Sequence, residues 1–558
     1  MSKSRSIRSG FSLSAAAAAV LALSAASVFA KDRDDDDRDD HHHGGISQSG
    51  EQKDMRRVGH VDLQGRPAYQ PNVIRYPDGR WIAFVGTHGG AKPNPLKGGV
   101  VEQDGTMIID VTDPDRPVEK FHIPVPVAGG QAQMARMCLG AGIGATGAAA
   151  KNVYLQRNIQ GSSRAGYEIW DVTDVNNPRP VAALTGIRAT HKLWWECNTG
   201  IAYMPGSKNT PPLWRTPQSM LVYDWSNPPA AQNVAVAPIV PNYPRYIRTY
   251  GVVGAEPTGT GPIPNSLHGP ISTWEHPLKG QPLARAAGPD DVVGNRLYLA
   301  WGVGDDGQLQ IVDRKKLLPP PHGTWNGANP DSPSRAELEA AQTGLMYMSP
   351  DQGGHTSFPV FGIAPKSYND FTEFKVRDIV LLSSEATADR CQEAPHWSFI
   401  VDVTVENSKT SPPGVARLSQ NPWTGPMVLS TMWVDPRLGE KYPRGNYCTR
   451  GARYGVHSSE ENFTNPFYPR VTFLAYFTGG IRAWDIREPQ GPKEIAFYVP
   501  ESNANTDPDG YMTNNVEVDN RGFIYATDRN GAGLDILELH GRAKRIALGI
   551  DAGRHDDD

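Results

Sequence analysis

The stretch Met107-Ile108-Ile109-Asp110-Val111-Thr112-Asp113-Pro114 decides the fold, because its pattern recurs along the chain. An apolar strand ends in an acidic residue, and a polar turn then leads into another strand. The clearest second copy is Ile169-Trp170-Asp171-Val172-Thr173-Asp174. Copies of the pattern carry acidic residues at seven positions: Asp110, Asp171, Asp224, Asp313, Asp402, Asp485 and Glu538. The spacing between successive acidic positions fits one four-stranded blade per copy, with loops inserted in the longer gaps. It therefore predicts an all-β propeller of seven blades.

Each copy fits the third strand of a four-stranded blade. We expect its carboxylate to accept a hydrogen bond from the following turn, as in an Asx turn, and so to guide the chain into the fourth strand. This places fourth strands at residues 118–123, 180–184, 234–239 and 494–499. The fourth strand of the last blade is predicted to come from residues 57–63, so that both ends of the chain meet in one blade and close the ring.

One short insertion helix is predicted at residues 334–343, in the long connection between blades 4 and 5. Ser334 and Glu337 have the spacing of a capping box, and Gly344 could end the helix.

The repeated pattern resembles the LVIVD repeat of bacterial β-propeller proteins over nearly the whole chain after residue 53. The copies at Asp110 and Asp171 resemble it most closely. The resemblance implies an exported propeller with loop insertions, and it implies no particular chemistry.

The N-terminus has the pattern of a secretory signal. Lys3, Arg5 and Arg8 precede an Ala-rich apolar run, and small residues end at Ala30. We therefore predict cleavage after Ala30 and a periplasmic or secreted protein. No later stretch is long and apolar enough to span a membrane. The net charge of −5 gives no excess of basic residues, so we do not expect nucleic acid as a partner.

Four segments follow from these patterns. Residues 1–30 are the predicted signal peptide, and residues 31–53 are an Asp/His-rich leader that we expect to be disordered. Its His41 to His43 run has the composition of a loose metal-binding tract, although a solvated leader is the plainer interpretation. Residues 54–548 form the predicted propeller, and residues 549–558 form a disordered tail.

The four cysteines suit an oxidising compartment. Cys138 and Cys197 fall on inner strands of neighbouring blades, and Cys391 and Cys448 fall in loops around blades 5 and 6. We predict two disulfides from these placements. The alternative is that the cysteines are buried or free thiols.

Histidines occupy the same position, the start of the first strand, in several blades of the predicted ring. The first strand of each blade lines the central channel, and four consecutive blades begin with a histidine: His191, His268, His355 and His457. Neutral imidazoles that converge on the axis make a site for Zn, Cu, Fe or Ni. The alternative is that they are polar side chains that fill the channel and form hydrogen bonds to water there.

Other residues near these four histidines in the sequence have predicted roles. Glu196, Glu460 and Glu461 follow a histidine by three to five residues. They could orient the ligand imidazoles or serve as proton acceptors, and we assign Glu196 and Glu460 as the candidate catalytic residues. Trp194, Trp195, Trp274, Tyr454 and Phe463 either wall a substrate pocket or pack between blades. His88, His276 and His396 are interpreted as structural.

These observations predict an oxidoreductase that uses copper or iron on a small-molecule substrate at the channel mouth. The geometry is similar to that of carotenoid-cleavage oxygenases, which hold iron with four histidines, and of the selenium-binding protein family with methanethiol oxidase activity, which binds copper. The strand motifs of those families are not found here. A non-catalytic binding scaffold and a metal-dependent hydrolase or lyase remain alternatives.

Overall fold

The computed structural model describes residues 51–264, 266–286, 288–303, 306–369, 375–406 and 425–550. The predicted signal peptide, residues 31–50 of the leader and residues 551–558 of the tail lie outside the described residues. The described chain forms a seven-bladed β-propeller, as predicted. Each blade is an antiparallel sheet, and in blades 1 to 6 its strands follow one another in chain order, whereas the fourth strand of blade 7 comes from the N-terminal part of the chain.

Blades 1 to 4 occupy the first part of the ring. Their strands are Ala68–Arg75, Trp81–Thr87, Gly105–Asp110 and Val118–Pro124 in blade 1; Ala135–Leu139, Val153–Ile159, Gly166–Asp171 and Arg179–Thr185 in blade 2; Ile187–Arg188 with Trp194–Trp195, Ile201–Lys208, Ser219–Asp224 and Arg245–Tyr250 in blade 3; Leu267–Ser272, Arg296–Trp301, Gln308–Asp313 and Gln342–Tyr347 in blade 4.

Blades 5 to 7 complete the ring. Their strands are Gly354–Ile363, Arg377–Ser384, Ser398–Asp402 and Met427–Met432 in blade 5; Tyr454–Ser459, Val471–Phe477, Ile481–Asp485 and Lys493–Val499 in blade 6; Thr513–Val518, Ile524–Asp528, Leu534–Leu539 and the N-terminal Met55–Val61 in blade 7. Buried apolar side chains pack in the layers between neighbouring sheets, with the largest cluster running through blades 3 to 6.

The predicted Asx turn is present in six blades. In each of them the Asp that ends the third strand accepts the backbone N–H of the residue two positions later, at 2.8–3.1 Å: Asp110, Asp171, Asp224, Asp313, Asp402 and Asp485. Glu538 of blade 7 instead accepts from the Arg56 guanidinium of the closing strand at 2.8 Å. The acidic residue of the repeat therefore forms a turn in six blades and helps to close the ring in the seventh.

The ring closes through Met55–Val61, which pairs antiparallel with Leu534–Leu539. Glu51–Lys53 adds a further strand at the edge of blade 6, where it pairs with Lys493–Val499. The expectation that the leader is disordered to residue 53 is therefore wrong for its last three residues. The free edge of blade 6 offers unpaired backbone groups that bind this short segment.

Three local predictions need correction. The capping box of Ser334 and Glu337 is confirmed, but the helix is Arg335–Ala341 and does not reach Gly344, because Gln342 already pairs with Val312 of blade 4. The fourth strand of blade 3 is Arg245–Tyr250, and residues 234–239 do not pair with the blade. A second helix, Gly541–Leu548, follows blade 7 and buries Ala543, Ile546 and Ala547.

Short elements fill the connections between strands. They are the hairpin Lys92–Asn94 with Val100–Glu102, and the 3-10 turns Leu63–Gly65, Pro95–Lys97, Gly147–Lys151, Arg314–Leu317, Lys366–Tyr368, Pro436–Lys441 and Tyr447–Thr449. Within the described ranges, no helix is long and apolar enough to cross a membrane.

Both predicted disulfides are formed. Cys138 of the blade 2 inner strand is joined to Cys197, which lies two residues after the inner-strand residues Trp194–Trp195 of blade 3, and Cys391 is joined to Cys448. Each bridge closes a long loop and ties segments of neighbouring blades together. Disulfides of this kind are typical of an oxidising compartment.

Candidate functional site

The inner strands lose their regular pairing where they reach the axis. Leu267 pairs with Trp301 and Gly269 with Ala300, so His268 is the extra residue of a β-bulge. Similar register shifts enclose His355 in blade 5 and His457 in blade 6. His191 lies between the two short inner strands of blade 3. A bulge turns the unpaired side chain away from its neighbours, and here it turns imidazoles into the channel.

The four predicted histidines come together at the axis. The Nε2 atoms of His191 and His268 are 2.7 Å apart. The ring centroids of His268 and His355 are 3.7 Å apart, and those of His355 and His457 are 4.2 Å apart. Imidazoles from four consecutive blades thus form one contiguous cluster, which we call the axial cluster.

Burial keeps these imidazoles neutral. It lowers the pKa of His191 to about 3, with Arg529 and Lys192 adding to the effect. It also lowers the pKa values of His268, His355 and His457 well below the ordinary value. A neutral imidazole has a nitrogen lone pair, which is what a metal ion requires of a histidine.

The ring nitrogens of the axial cluster have too few partners within the protein. His457 Nδ1 donates to the Asn514 carbonyl oxygen at 2.5 Å, which leaves the lone pair on Nε2. His268 Nδ1 and both ring nitrogens of His355 are buried and have no hydrogen-bond partner in the part of the chain that the structure describes. Unpaired buried nitrogens are costly, so this donor set fits a bound cation chemically.

Glu385 is the carboxylate of the axial cluster, and sequence reasoning missed it. Its oxygens lie 3.6 Å from His355 Nε2 and 3.6 Å from His457 Nε2. One ligand atom each from His268, His355 and Glu385 lie within 4.8 Å of one another. Burial raises the pKa of Glu385, while Arg529 and Arg453 oppose the shift.

Tyr69 completes the ring of polar groups. Its hydroxyl oxygen lies 3.3 Å from His191 Nε2 and 3.4 Å from His457 Nε2, and a register shift of the blade 1 inner strand encloses it. Burial raises the pKa of Tyr69, so the phenol stays protonated.

A positional signal could have found Glu385. It directly follows the second strand of blade 5, as His88 follows that of blade 1 and Arg529 that of blade 7. Second strands run antiparallel to inner strands, so the residue after each of them lies beside the start of the inner strand. His88, interpreted as structural, packs its ring against Tyr69 at 5.7 Å.

Glu196 does not join the axial cluster. It is fully buried and accepts hydrogen bonds from the Arg314 guanidinium at 2.7 and 2.6 Å, and from the hydroxyls of Thr199, Tyr203 and Ser272. Burial acts to raise the pKa of Glu196, but the Arg314 charge outweighs it and the pKa is lowered. These contacts make Glu196 half of an ion pair between blades 3 and 4.

Glu460 and Glu461 lie further along the channel than the histidines. Glu460 accepts from the Thr472 hydroxyl at 3.4 Å, and burial raises its pKa well above the ordinary value. Glu461 is bonded to the ammonium of Lys192 and to the guanidinium of Arg136. Among the described residues, neither Glu460 nor Glu461 forms a hydrogen bond or an ion pair with an axial imidazole.

The aromatic residues divide between the two predicted roles. Trp194, Trp195 and Phe463 line a cavity of the channel, whereas Tyr454 stacks on Tyr447 within the core. Trp274 packs under the Arg314 guanidinium, at 3.9 Å from its ring centroid.

Two further histidines have structural contacts. His276 is bonded to the Tyr468 hydroxyl at 2.8 Å, and His396 to the Ser384 hydroxyl at 2.8 Å.

No family model matches this chain, and no curated protein matches it in sequence. The LVIVD repeat therefore stays a resemblance of motif.

Solved structures similar to this chain share little sequence with it. Sqt1 from Chaetomium thermophilum is 10% identical over 88% of this chain and 99% of its own, with a TM-score of 0.43. A hypothetical selenium-binding protein from Sulfolobus tokodaii is 9% identical, covers 83% and 82%, and has a TM-score of 0.42. A putative 6-phosphogluconolactonase from Bacteroides fragilis is 9% identical, covers 82% and 87%, and has a TM-score of 0.40.

Proposed function

We propose that this protein is an exported metalloprotein that holds one transition-metal ion in its axial cluster, and that it is an oxidoreductase. The observation that carries the proposal is the meeting of four neutral imidazoles, three of them buried, in which ring nitrogens of His268 and His355 lack a partner among the described residues. Buried ring nitrogens without a partner are not expected at the axis of a ring unless a ligand satisfies them.

The donor set favours copper or iron. His268, His355 and Glu385 would hold the ion, since one ligand atom from each lies within 4.8 Å of the others, and His191 and His457, which lie beside them, would be the further ligands. Imidazole with one carboxylate suits copper and iron, and such an ion supplies one-electron chemistry with dioxygen.

The protein's own groups have separate roles in this proposal. Asn514 fixes the tautomer of His457 through its carbonyl oxygen. Glu385, rather than Glu196 or Glu460, is the candidate proton acceptor, because it lies among the imidazoles and burial raises its pKa. The Tyr69 hydroxyl is placed to donate a hydrogen bond toward the same point.

Export is part of the proposal. The N-terminal signal pattern and the two disulfides support a periplasmic or secreted location. Protein for the following experiment is therefore prepared from the exported fraction.

Metal content of the purified protein tests the proposal. We expect about one equivalent of copper or iron by elemental analysis, and its loss in His355→Ala and His268→Ala, because each change removes a ligand nitrogen. His540→Ala, outside the axial cluster, is the matched control and should retain the metal. A variant with His41 to His43 all changed to Ala separates axial metal from metal bound by the leader.

Two results would contradict the proposal. One is protein without stoichiometric metal that also fails to take up added copper, iron or zinc. The other is metal that disappears only when the leader histidines are changed. Either result favours the binding scaffold. Metal without oxygen consumption in a substrate screen would favour a hydrolase or lyase.

A further inference from the structure

A cavity lies along the channel, and none of the axial histidines is among its lining residues. Its volume is about 310 Å³, and Glu461 and Glu517 are among its lining residues. Glu461 stands four positions after His457, and Glu517 three positions after Asn514, on the inner-strand segments of blades 6 and 7. At about 3.3 Å per residue, the cavity is roughly 10 Å from the histidines. We call it the distal cavity.

A buried ion pair separates the distal cavity from the axial cluster. Lys192, next to His191, reaches across the channel to Glu461 of blade 6. Its stem passes over Gly269, where an added Cβ would lie 2.8 Å from Lys192 Cδ. Arg136 also bonds Glu461. Two cations thus share one carboxylate, and the positive charge that remains also acts on Glu517 of the distal cavity.

Two buried polar atoms at the distal cavity have no hydrogen-bond partner among the described residues. Glu517 Oε2 is an unpartnered acceptor on a residue that is 6% exposed, and Trp194 Nε1 is an unpartnered donor on a residue that is 5% exposed. Both residues line the cavity. A buried carboxylate oxygen without a donor calls for a ligand that brings one.

The carboxylates of the distal cavity favour a ligand whose hydrogen-bond donor is positively charged. Glu275 and Glu517 both line it, and burial raises the pKa of each to about 7. Among the described residues, no ion pair within 4.0 Å joins either carboxylate to a cation. Arg136 also lines the cavity, but it bonds Glu461 and lies over the Trp194 ring at 4.2 Å, and Arg75 lies exposed at the rim. The rings of Trp194 and Phe463 supply an apolar wall beside these carboxylates. Aromatic faces near carboxylates suit an organic cation.

We infer that the distal cavity binds a small organic amine, with its ammonium group on Glu517 and its carbon skeleton against Trp194 and Phe463. The volume fits a molecule of this size. The inference goes beyond the proposed function, since it needs no metal at the axis. The amine site and the axial cluster are separated by the Lys192–Glu461 ion pair.

Binding of three probes of equal size tests the inference. Benzylamine, benzyl alcohol and benzoate are titrated by calorimetry into the metal-free full chain at about pH 8, where both carboxyl groups are charged. We expect benzylamine to bind at least about tenfold more tightly than the alcohol or the acid, because it forms charge-assisted hydrogen bonds.

Variants then place the site. Glu517→Gln and, separately, Glu275→Gln should each weaken benzylamine binding by about tenfold or more. Glu339→Gln, on the exposed insertion helix, should leave the affinity unchanged. Equal binding of the three probes, no benzylamine binding up to about 10 mM, or full affinity in both cavity variants would overturn the inference. Amine binding by a chain that takes up no metal would leave it standing while the proposed function fails.

Discussion

At the scale of the residue, two buried carboxylates have opposite roles. Glu196 follows His191 closely in sequence, but its side chain is bound by Arg314 and three hydroxyls. Glu385 is far from any axial histidine in sequence, yet it lies between His355 and His457. Every lone pair of Glu196 is engaged, so this carboxylate holds blades together. Glu385 accepts a hydrogen bond from Arg453 at 3.1 Å but keeps further lone pairs beside the neutral imidazoles.

Loss of Glu196 should destabilise the fold without affecting the metal. Glu196→Ala leaves Arg314 buried and unpaired, so we expect the free energy of unfolding to fall by about 3–5 kcal/mol. Denaturant titration measures this loss. Glu339→Ala breaks the exposed pair with Arg335 and should cost less than about 0.5 kcal/mol. An equal loss in both variants would contradict the structural role, and so would loss of metal from Glu196→Ala.

The pH dependence of this pair has a definite sign. The pKa of Glu196 is lowered in the folded state, so the folded protein holds fewer protons there than the unfolded chain does. The stabilisation is therefore complete above the unfolded pKa, about 4.3, and is lost as the pH falls through the folded pKa. The stability difference between the wild type and Glu196→Gln should shrink on acidification below about pH 4.

At the scale of the element, irregularities of the inner strands create the site. The register shifts at His268, His355 and His457 let these side chains leave the sheet for the channel. Tyr69 and Asn514 fall within corresponding shifts of blades 1 and 7. Regular strands would instead place alternate side chains between neighbouring blades.

The Asx turns should differ in their contribution to stability. Asp171 accepts from Thr173 N, Thr173 Oγ1 and Asn152 Nδ2, whereas Asp110 accepts from Thr112 N alone among the described contacts. At about 0.5–1.5 kcal/mol per hydrogen bond, Asp171→Ala should cost about 2–3 kcal/mol and Asp110→Ala about 1 kcal/mol. Unfolding midpoints of the two variants check this order. A larger loss for Asp110→Ala would contradict it.

At the scale of the whole molecule, the ring depends on its N-terminal strand. Met55–Val61 is the outer strand of blade 7, and His60 bonds Asp535 at 2.8 Å across the closure. Without this strand, blade 7 would present an unpaired edge and lose the packing of Met55.

Two truncations should separate the closing strand from the leader. Removal of residues 1–50, with export supplied by a foreign signal, should leave the melting temperature and the monodispersity nearly unchanged. Removal of residues 1–62 should lower the melting temperature by more than about 5 °C and promote aggregation, because it opens the ring. Calorimetry and gel filtration measure both effects. Equal behaviour of the two truncations would show that closure contributes little.

Parts of the fold and the site could be predicted from sequence, and parts could not. The repeat marked by Asp110 and Asp171 predicted the blades, because a third strand ending in an Asx turn is a local pattern. The strand predicted at residues 234–239 was wrong, because a short apolar run does not tell which segment pairs with the sheet. The four histidines could be found because they recur at the start of the first strand in successive blades.

Local sequence determined the seven blades, the Asx turns, the capping box at Ser334 and the closure of the ring, since each depends on neighbours along the chain or on a repeated period. Only the tertiary structure decided that Glu385 and Tyr69 stand beside the axial imidazoles, and that Glu196 is held by Arg314. These contacts join residues from different blades. They depend on how the blades are arranged around the axis, and no local pattern records that arrangement.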